Sequence, residues 1–311
     1  MGAQIGLFLG NPLTWILTIL IVVHLKKRWD YKHETYYLIT HVPYGKMRRD
    51  TGKYGEYLIY KRLKDFEKQG WKFLFNTYVP KADGQTSEID VLLISPVGVF
   101  VFESKNYSGW IFGGEKQKNW YQTLPRGRGR SQKESFYNPI LQNQSHIKHL
   151  KLLLGDKIPA YSLVVFSDRC TFKDVRFEGK TAHVIHRNEV YRVVSAMQEQ
   201  AADSIFDATE IDRIYKELYP YTQMDAKVKE QHIQNIHTTI SRQTEQGQVA
   251  PVKDIEKGEK VSKERKEQAE PPQCPVCRGK LVVRTARRGN NAGKQFLGCS
   301  NYLNCRYIKN I

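Results

Sequence analysis

SEIDVLLISPVGVFVFESKNYSG, residues 87–109, decides the fold. Ile89–Ile94 and Val99–Phe102 are dense in β-branched and aromatic residues, the composition of core strands. Ser95, Pro96, Val97 and Gly98 lie between them and read as a short turn. A hairpin closed on that turn pairs residues whose numbers sum to about 193, which sets Asp90 opposite Glu103. Side chains alternate faces along a strand, so Glu103 and Lys105 share a side and Ser104 turns away.

Two carboxylates and one ammonium then converge at one end of a sheet. A hard cation such as Mg²⁺ takes oxygen ligands, usually one or two carboxylates with waters and phosphate. Asp90 and Glu103 are therefore candidate Mg²⁺ (or Mn²⁺) ligands, and Lys105 a candidate to hold a water or stabilise charge on phosphorus. The competing reading makes the three residues exposed strand-end charges in a weak surface pair.

D-x12-E-x-K across a hairpin resembles the active-site signature of the PD-(D/E)xK nuclease superfamily. The neighbouring words are similar to one branch of it, the nuclease-related domain. They are G-x-x-G-E at 52–56, EIDVLLIS at 88–95, GVFVFESKN at 98–106, GWIFG at 109–113, Trp120, and NPILQ at 138–142. The resemblance spans about 50–170. It implies a restriction-endonuclease-like fold, with Asp90, Glu103 and Lys105 catalytic and with Glu56 and Gln142 assisting. Glu56 would reach the metal or its waters, and Gln142 would orient the attacking water. Without the family, Glu56 is a surface residue that suits a helix N-terminus, and Gln144 is the glutamine most easily confused with Gln142.

The flanking sequence fits an α/β (α+β) domain with a mixed central sheet flanked by helices. A helix starts near Gly52, with Tyr54, Leu58, Ile59, Leu63 and Phe66 at helical spacing, and Gly70 stops it. Residues 71–79 read as a strand. Asn138 caps a second helix with Pro139 at its first position; His146 and His149 are expected on its face, not as ligands. Residues 158–166 and 182–185 read as strands, and a helix over 203–218 closes the domain. Ahead of that second helix, residues 125–133 read as a basic loop whose Arg126, Arg128, Arg130 and Lys133 suit phosphate contact. Cys170, isolated, reads as structural.

The 311-residue chain carries 49 basic and 32 acidic residues, net +17, which points to a polyanionic partner, nucleic acid or an anionic membrane. Residues 1–25 hold no Asp, Glu, Lys or Arg, and Lys26, Lys27 and Arg28 follow. That pattern predicts a transmembrane anchor over 1–28 with a cytoplasmic C-terminal side, hence a single-pass protein of the cell membrane. Residues 29–49 read as a juxtamembrane stalk, 50–220 as the nuclease-related domain, and 221–272, poor in apolar residues, as a linker.

The last segment, 273–311, contains Cys274, Cys277, Cys299 and Cys305 in a C-x2-C-x21-C-x5-C pattern, four thiolates for tetrahedral Zn²⁺. A piece this short folds only with such a staple. CPVCRGKLVVR and FLGCSNYLNC are similar to the zinc ribbons at the C-termini of bacterial type I topoisomerases. The module is basic, without an acidic residue, and Arg284, Arg287, Arg288, Lys294, Tyr302 and Tyr307 suit single-stranded nucleic acid. Phe296 is the aromatic best placed to be core. The combined expectation is a membrane-anchored, metal-dependent nuclease acting on DNA. Its alternative is a non-catalytic nucleic-acid-binding scaffold that keeps the fold; two carboxylates at a phosphate site disfavour that, because they repel phosphate.

Overall fold

Thr86–Ser95 and Gly98–Lys105 form the expected hairpin, and their register sums to 193, from Val91 opposite Phe102 to Ser95 opposite Gly98. The structure, a computed structural model, describes residues 12–81, 84–127, 130–179, 182–201, 204–224, 234, 274–277, 281–285, 295–299, 305 and 307–310. The chain divides into two compact units, Met1–Gly258 and Glu259–Ile311.

In the first unit four helices come first: α1 (Pro12–Lys32), α2 (Thr35–Thr40), α3 (Tyr44–Arg49) and α4 (Thr51–Leu63). Strands β1 (Lys72–Pro80), β2 (Thr86–Ser95), β3 (Gly98–Lys105), β4 (Gly109–Gly114), β5 (Asn119–Pro125) and β6 (Ser131–Tyr137) follow. Then come α5 (Pro139–Leu154), β7 (Ala160–Phe166), β8 (Cys170–Arg176), β9 (His183–His186), α6 (Val190–Gln200) and α7 (Ala208–Leu218). The main sheet has the order β1-β2-β3-β7-β9 and is mixed: antiparallel across the first three strands, parallel from β3 onward. A parallel neighbour needs a crossover, and here residues 106–159 supply it. They carry α5 and most of a second sheet, β6-β5-β4-β8.

Burial explains the central place of β3. Val99 to Phe102 are fully buried, packed between α4 on one side and α5 on the other, so no polar face is left. Gly55 lets α4 approach this strand: a Cβ there would sit 2.7 Å from Ser104 Oγ and 3.0 Å from Asn106 Cβ. The helix near Gly52 ends as expected, with a 3₁₀ turn over Lys64–Gln69 and Gly70 at φ +84°. Asn138 caps α5 through its side chain, with Pro139 at the first position. The second sheet packs on Trp120, buried and stacked on Phe166 at 6.0 Å.

Three expectations change. No helix among the described residues is long and apolar enough to cross a membrane. The apolar run of α1 ends at Leu25, before Lys26; from Leu13 it rises about 20 Å, against a hydrocarbon core of about 30 Å. The single-pass anchor and the localisation built on it are therefore withdrawn. Residues 29–49 are not a stalk. Tyr31, Tyr36, Ile39 and Met47 are buried in the main core, and Glu34 accepts hydrogen bonds from Tyr57 (2.8 Å), Lys61 (2.7 Å) and Lys64 (3.0 Å) of the next segment. Much of the expected basic loop is strand: β5 and β6 pair on either side of it as far as Pro125 and Ser131, and Arg126 N–H donates to the Arg130 carbonyl at 2.8 Å. The expected linker lies mostly outside the described residues.

A chain starting at residue 50 loses four buried side chains worth about 1.5–3 kcal/mol each, comparable with the whole stability of a domain. We expect it to melt far below the intact chain, or not to fold, as followed by circular dichroism.

Candidate active site

Asp90 and Glu103 meet as the register requires, one on β2 and the other on β3. Asp90 Oδ2 accepts the Ser104 N–H at 2.8 Å, which holds the carboxylate against the neighbouring strand. Glu103, buried, accepts from Lys105 Nζ at 2.6 Å through Oε1 and lies 3.1 Å from His146 Nε2 through Oε2. Lys105 Nζ also donates to Gln142 Oε1 at 3.1 Å. Gln142 and His146 are four residues apart on α5 and so share its sheet-facing side. Of the two glutamines, Gln142 is the one in contact with Lys105.

Burial and charge set these groups apart. Burial, the Glu103 charge and the Glu56 charge hold the Asp90 carboxyl well above its ordinary range. Burial pushes Glu103 up as well, but Lys105 and His146 outweigh it and keep Glu103 below the usual value. Burial works against the Lys105 ammonium, yet Glu103 and its other anionic neighbours raise it above normal. One carboxylate is therefore satisfied by a cation and the other is not. A divalent ion at Asp90 and Glu103 fits that imbalance.

Glu56 stands apart, buried on α4. Its Oε2 accepts from Tyr36 Oη (3.1 Å) and Asn76 Nδ2 (2.9 Å). Burial pushes its carboxyl up to about 7, with the nearby Glu88 adding to the shift and Asn76 opposing it. It is not the surface residue a family-free reading gives. Asn76 sits at φ +48° in the middle of β1, between the pairs Phe75–Val91 and Thr77–Ile89, which sets it beside Asp90. Asn is among the few non-glycine residues that enter this region readily.

Sequence reasoning missed Tyr36, Asn76 and His146. His146 bridges Glu103 and Ser87, whose Oγ lies 2.7 Å from Nδ1. Facing a carboxylate, His146 Nε2 acts as a donor, and Nδ1 faces the Ser87 hydroxyl. Ser87 lies three residues before Asp90, outside the D-x12-E-x-K signature, and no spacing in the sequence pointed to it.

Among the basic-turn residues, Lys133 lies over the Tyr121 ring at 4.1 Å, and Arg126 bonds Gln132. Arg128 lies outside the described residues. Cys170 is buried and its thiol pushed up to about 11 by burial, in keeping with a structural role.

The second unit carries a three-stranded antiparallel sheet, β10 (Leu281–Thr285), β11 (Gln295–Cys299) and β12 (Ile308–Asn310). Ligand atoms of Cys274, Cys277, Cys299 and Cys305 all lie within 4.8 Å of one another. Cys274 Sγ is 3.7 Å from Cys305 Sγ, and Cys277 Sγ is 3.3 Å from Cys299 Sγ. Four sulfurs at about 2.3 Å from one Zn²⁺ stand about 3.8 Å apart, so the set fits tetrahedral zinc. No other group of three or more metal-binding side chains is gathered so closely among the described residues. Tyr307 is half-buried against the cysteines, in the module's small core. Arg284 lies on β10 opposite Phe296; Arg287, Arg288, Lys294 and Tyr302 lie outside the described residues.

Comparison with known proteins agrees with this division. The nuclease-related domain model matches residues 51–167. The topoisomerase DNA-binding C4 zinc finger model matches residues 272–311. An uncharacterized protein of Bacillus anthracis is 32% identical over 203 residues, 65% of this chain and 89% of that protein. No solved structure matches.

Two outcomes follow. Glu56 holds its proton more tightly folded than unfolded, so its contribution to stability is full below about pH 4.5 and declines as pH rises to about 7. Relative to Glu56→Gln, the wild type should lose on the order of 3 kcal/mol across that window, read from urea melts at stepped pH without added divalent metal. A strong zinc chelator should expose four fast-reacting thiols together and leave Cys170 slow, counted with a thiol-reactive dye.

Proposed function

Because the chain belongs, through residues 51–167, to the family of nuclease-related-domain proteins, we propose that it is a nuclease. It hydrolyses phosphodiester bonds of DNA with a divalent metal ion, and its zinc ribbon holds nucleic acid. The observation that carries this reading is the buried Glu103–Lys105 pair facing Asp90 at one end of the sheet. A structural salt bridge has no use for a second, uncompensated carboxylate beside it, since burial of that charge is costly.

In this reading Asp90 and Glu103 hold Mg²⁺ or Mn²⁺. When bound, the ion neutralises charge on the phosphate and makes a bound water more acidic. His146 and Lys105 fix the two oxygens of Glu103, so the carboxylate is oriented before substrate arrives. The Lys105 ammonium, braced by Gln142, is suited to donate to phosphoryl oxygens as negative charge grows on them. Gln142 Oε1 keeps a lone pair with which to orient the attacking water. Glu56, with its carboxyl near neutrality, is suited to exchange a proton at working pH. The basic balance of the chain and the ribbon's match to a DNA-binding finger support a nucleic-acid substrate.

The test is cleavage of labelled single- and double-stranded DNA and RNA by the intact chain, with Mg²⁺ or Mn²⁺ added or withheld. Metal-dependent cleavage is expected, with Asp90→Asn and Lys105→Ala each slower by at least about 100-fold. Asp90→Asn should melt like the wild type, whereas Lys105→Ala leaves Glu103 without its cation and should melt lower. Binding without cleavage of any substrate, unchanged by either substitution, would replace the nuclease with a nucleic-acid-binding scaffold.

A further inference from the structure

A second feature adjoins the end of β3. Asn106, the residue after Lys105, forms part of the wall of a cavity of about 460 Å³. Four arginines line the same cavity: Arg48 and Arg49 from α3, Arg169 from the β7–β8 turn, and Arg187 after β9. Three separate segments therefore deliver four guanidinium groups to one place.

Their partners show how the cavity is built. Arg169 donates to the Asn106 carbonyl (2.9 Å) and to Asn106 Oδ1 (3.1 Å), and Asn106 Nδ2 in turn donates to the Thr51 carbonyl (2.7 Å). Arg48 lies over the rings of Tyr54 (5.4 Å) and Tyr44 (6.0 Å). Arg49 Nε donates to the Gly45 carbonyl at 3.0 Å. Arg187 pairs with Asp168 at 3.1 Å. Among the described residues no carboxylate bridges Arg48, Arg49 or Arg169. Three guanidinium charges are thus gathered around one space without a matching anion, and each carries N–H groups not used by its neighbours. Like charges held this close repel, and the arrangement gains most from an anion with several acceptor oxygens. Guanidinium forks match phosphate in that geometry.

We propose that this pocket is a phosphate site for the nucleic-acid strand, beside the catalytic end of β3. Consecutive Cα atoms are about 3.8 Å apart, so the Asn106 wall stands within a nucleotide's reach of Lys105. Tyr54 and Leu58 supply an apolar side for the attached sugar or base. The phosphate is either one inside the strand or the monoester at its 5′ end. The ligand class rests on the nucleic-acid reading above; the pocket does not depend on catalysis.

The experiment measures binding of the intact chain to a 3′-labelled single-stranded oligonucleotide by fluorescence anisotropy, without added divalent metal. The oligonucleotide carries either a 5′-phosphate or a 5′-hydroxyl. Arg48→Gln/Arg49→Gln is compared with wild type over a range of salt. Both positions are exposed and hold no carboxylate, so the double variant should melt as wild type does; the ribbon is common to both proteins and cancels. A 5-fold or larger loss is expected, with a salt slope lower by about 0.7 for the one phosphate released. Loss only for the 5′-phosphorylated strand assigns the site to a strand end; equal loss for both assigns it to an internal phosphate. Unchanged affinity and slope for both strands overturn the proposal. Because binding and cleavage are read separately, an unchanged double variant that still cleaves removes the pocket and leaves the nuclease. A weakened double variant of a chain that cleaves nothing does the reverse.

Discussion

Ionised carboxylates buried at one end of a sheet repel one another, and much of the first unit is arranged around that fact. Glu103 is tolerated because a lysine two residues on and a histidine from the facing helix both reach it. Among the described residues Asp90 accepts one hydrogen bond, from the Ser104 N–H, and with Lys105 committed to Glu103 it stays hard to ionise. Glu56, from the opposite helix, is satisfied by a tyrosine and an asparagine and titrates near neutrality. The result is a site charged on one side and proton-holding on the other, with a net demand for positive charge. Isolated ion pairs at a surface make no such demand, because water screens them. Burial turns three ordinary side chains into a poised group.

Backbone geometry serves the same end. Gly55 removes the one Cβ that would push α4 away from Ser104 and Asn106, so Glu56 can enter. Asn76 takes a left-handed conformation inside a strand, at a cost on the order of 1 kcal/mol, and the bend aims its amide at Glu56 beside Asp90. Both are local departures from regular structure, and both sit within one residue of a candidate functional side chain or its partner. The N-terminal helices join this scheme through Tyr36, which fills the core against Phe75 and touches the Glu56 carboxylate.

The ribbon works by a different principle. Among the described residues its core is Cys274, Cys299 and Cys305 with Leu281, Leu297 and Tyr307, little apolar surface for a module of this length. The four sulfurs are spaced as one zinc ion requires. The first unit needs no such staple, since its two packed sheets and flanking helices bury more than thirty apolar side chains.

The sequence by itself determined the hairpin, its register and the convergence of Asp90, Glu103 and Lys105. It also determined the Asn138 cap, the Gly70 stop and the four-cysteine set. Each of these is local: strand alternation, capping chemistry and ligand spacing act over a few residues, and a ladder closed on a short turn has only one register. Tertiary structure alone decided that residues 29–49 belong to the core, because their buried tyrosines look like interfacial aromatics until Phe75 and Tyr57 are packed against them. It alone decided that Glu56 is buried, that His146 grips Glu103 across 43 positions of sequence, and that Arg48, Arg49, Arg169 and Arg187 share one cavity. No periodicity reports contacts between segments so far apart; they exist only once β3 is enclosed from both sides.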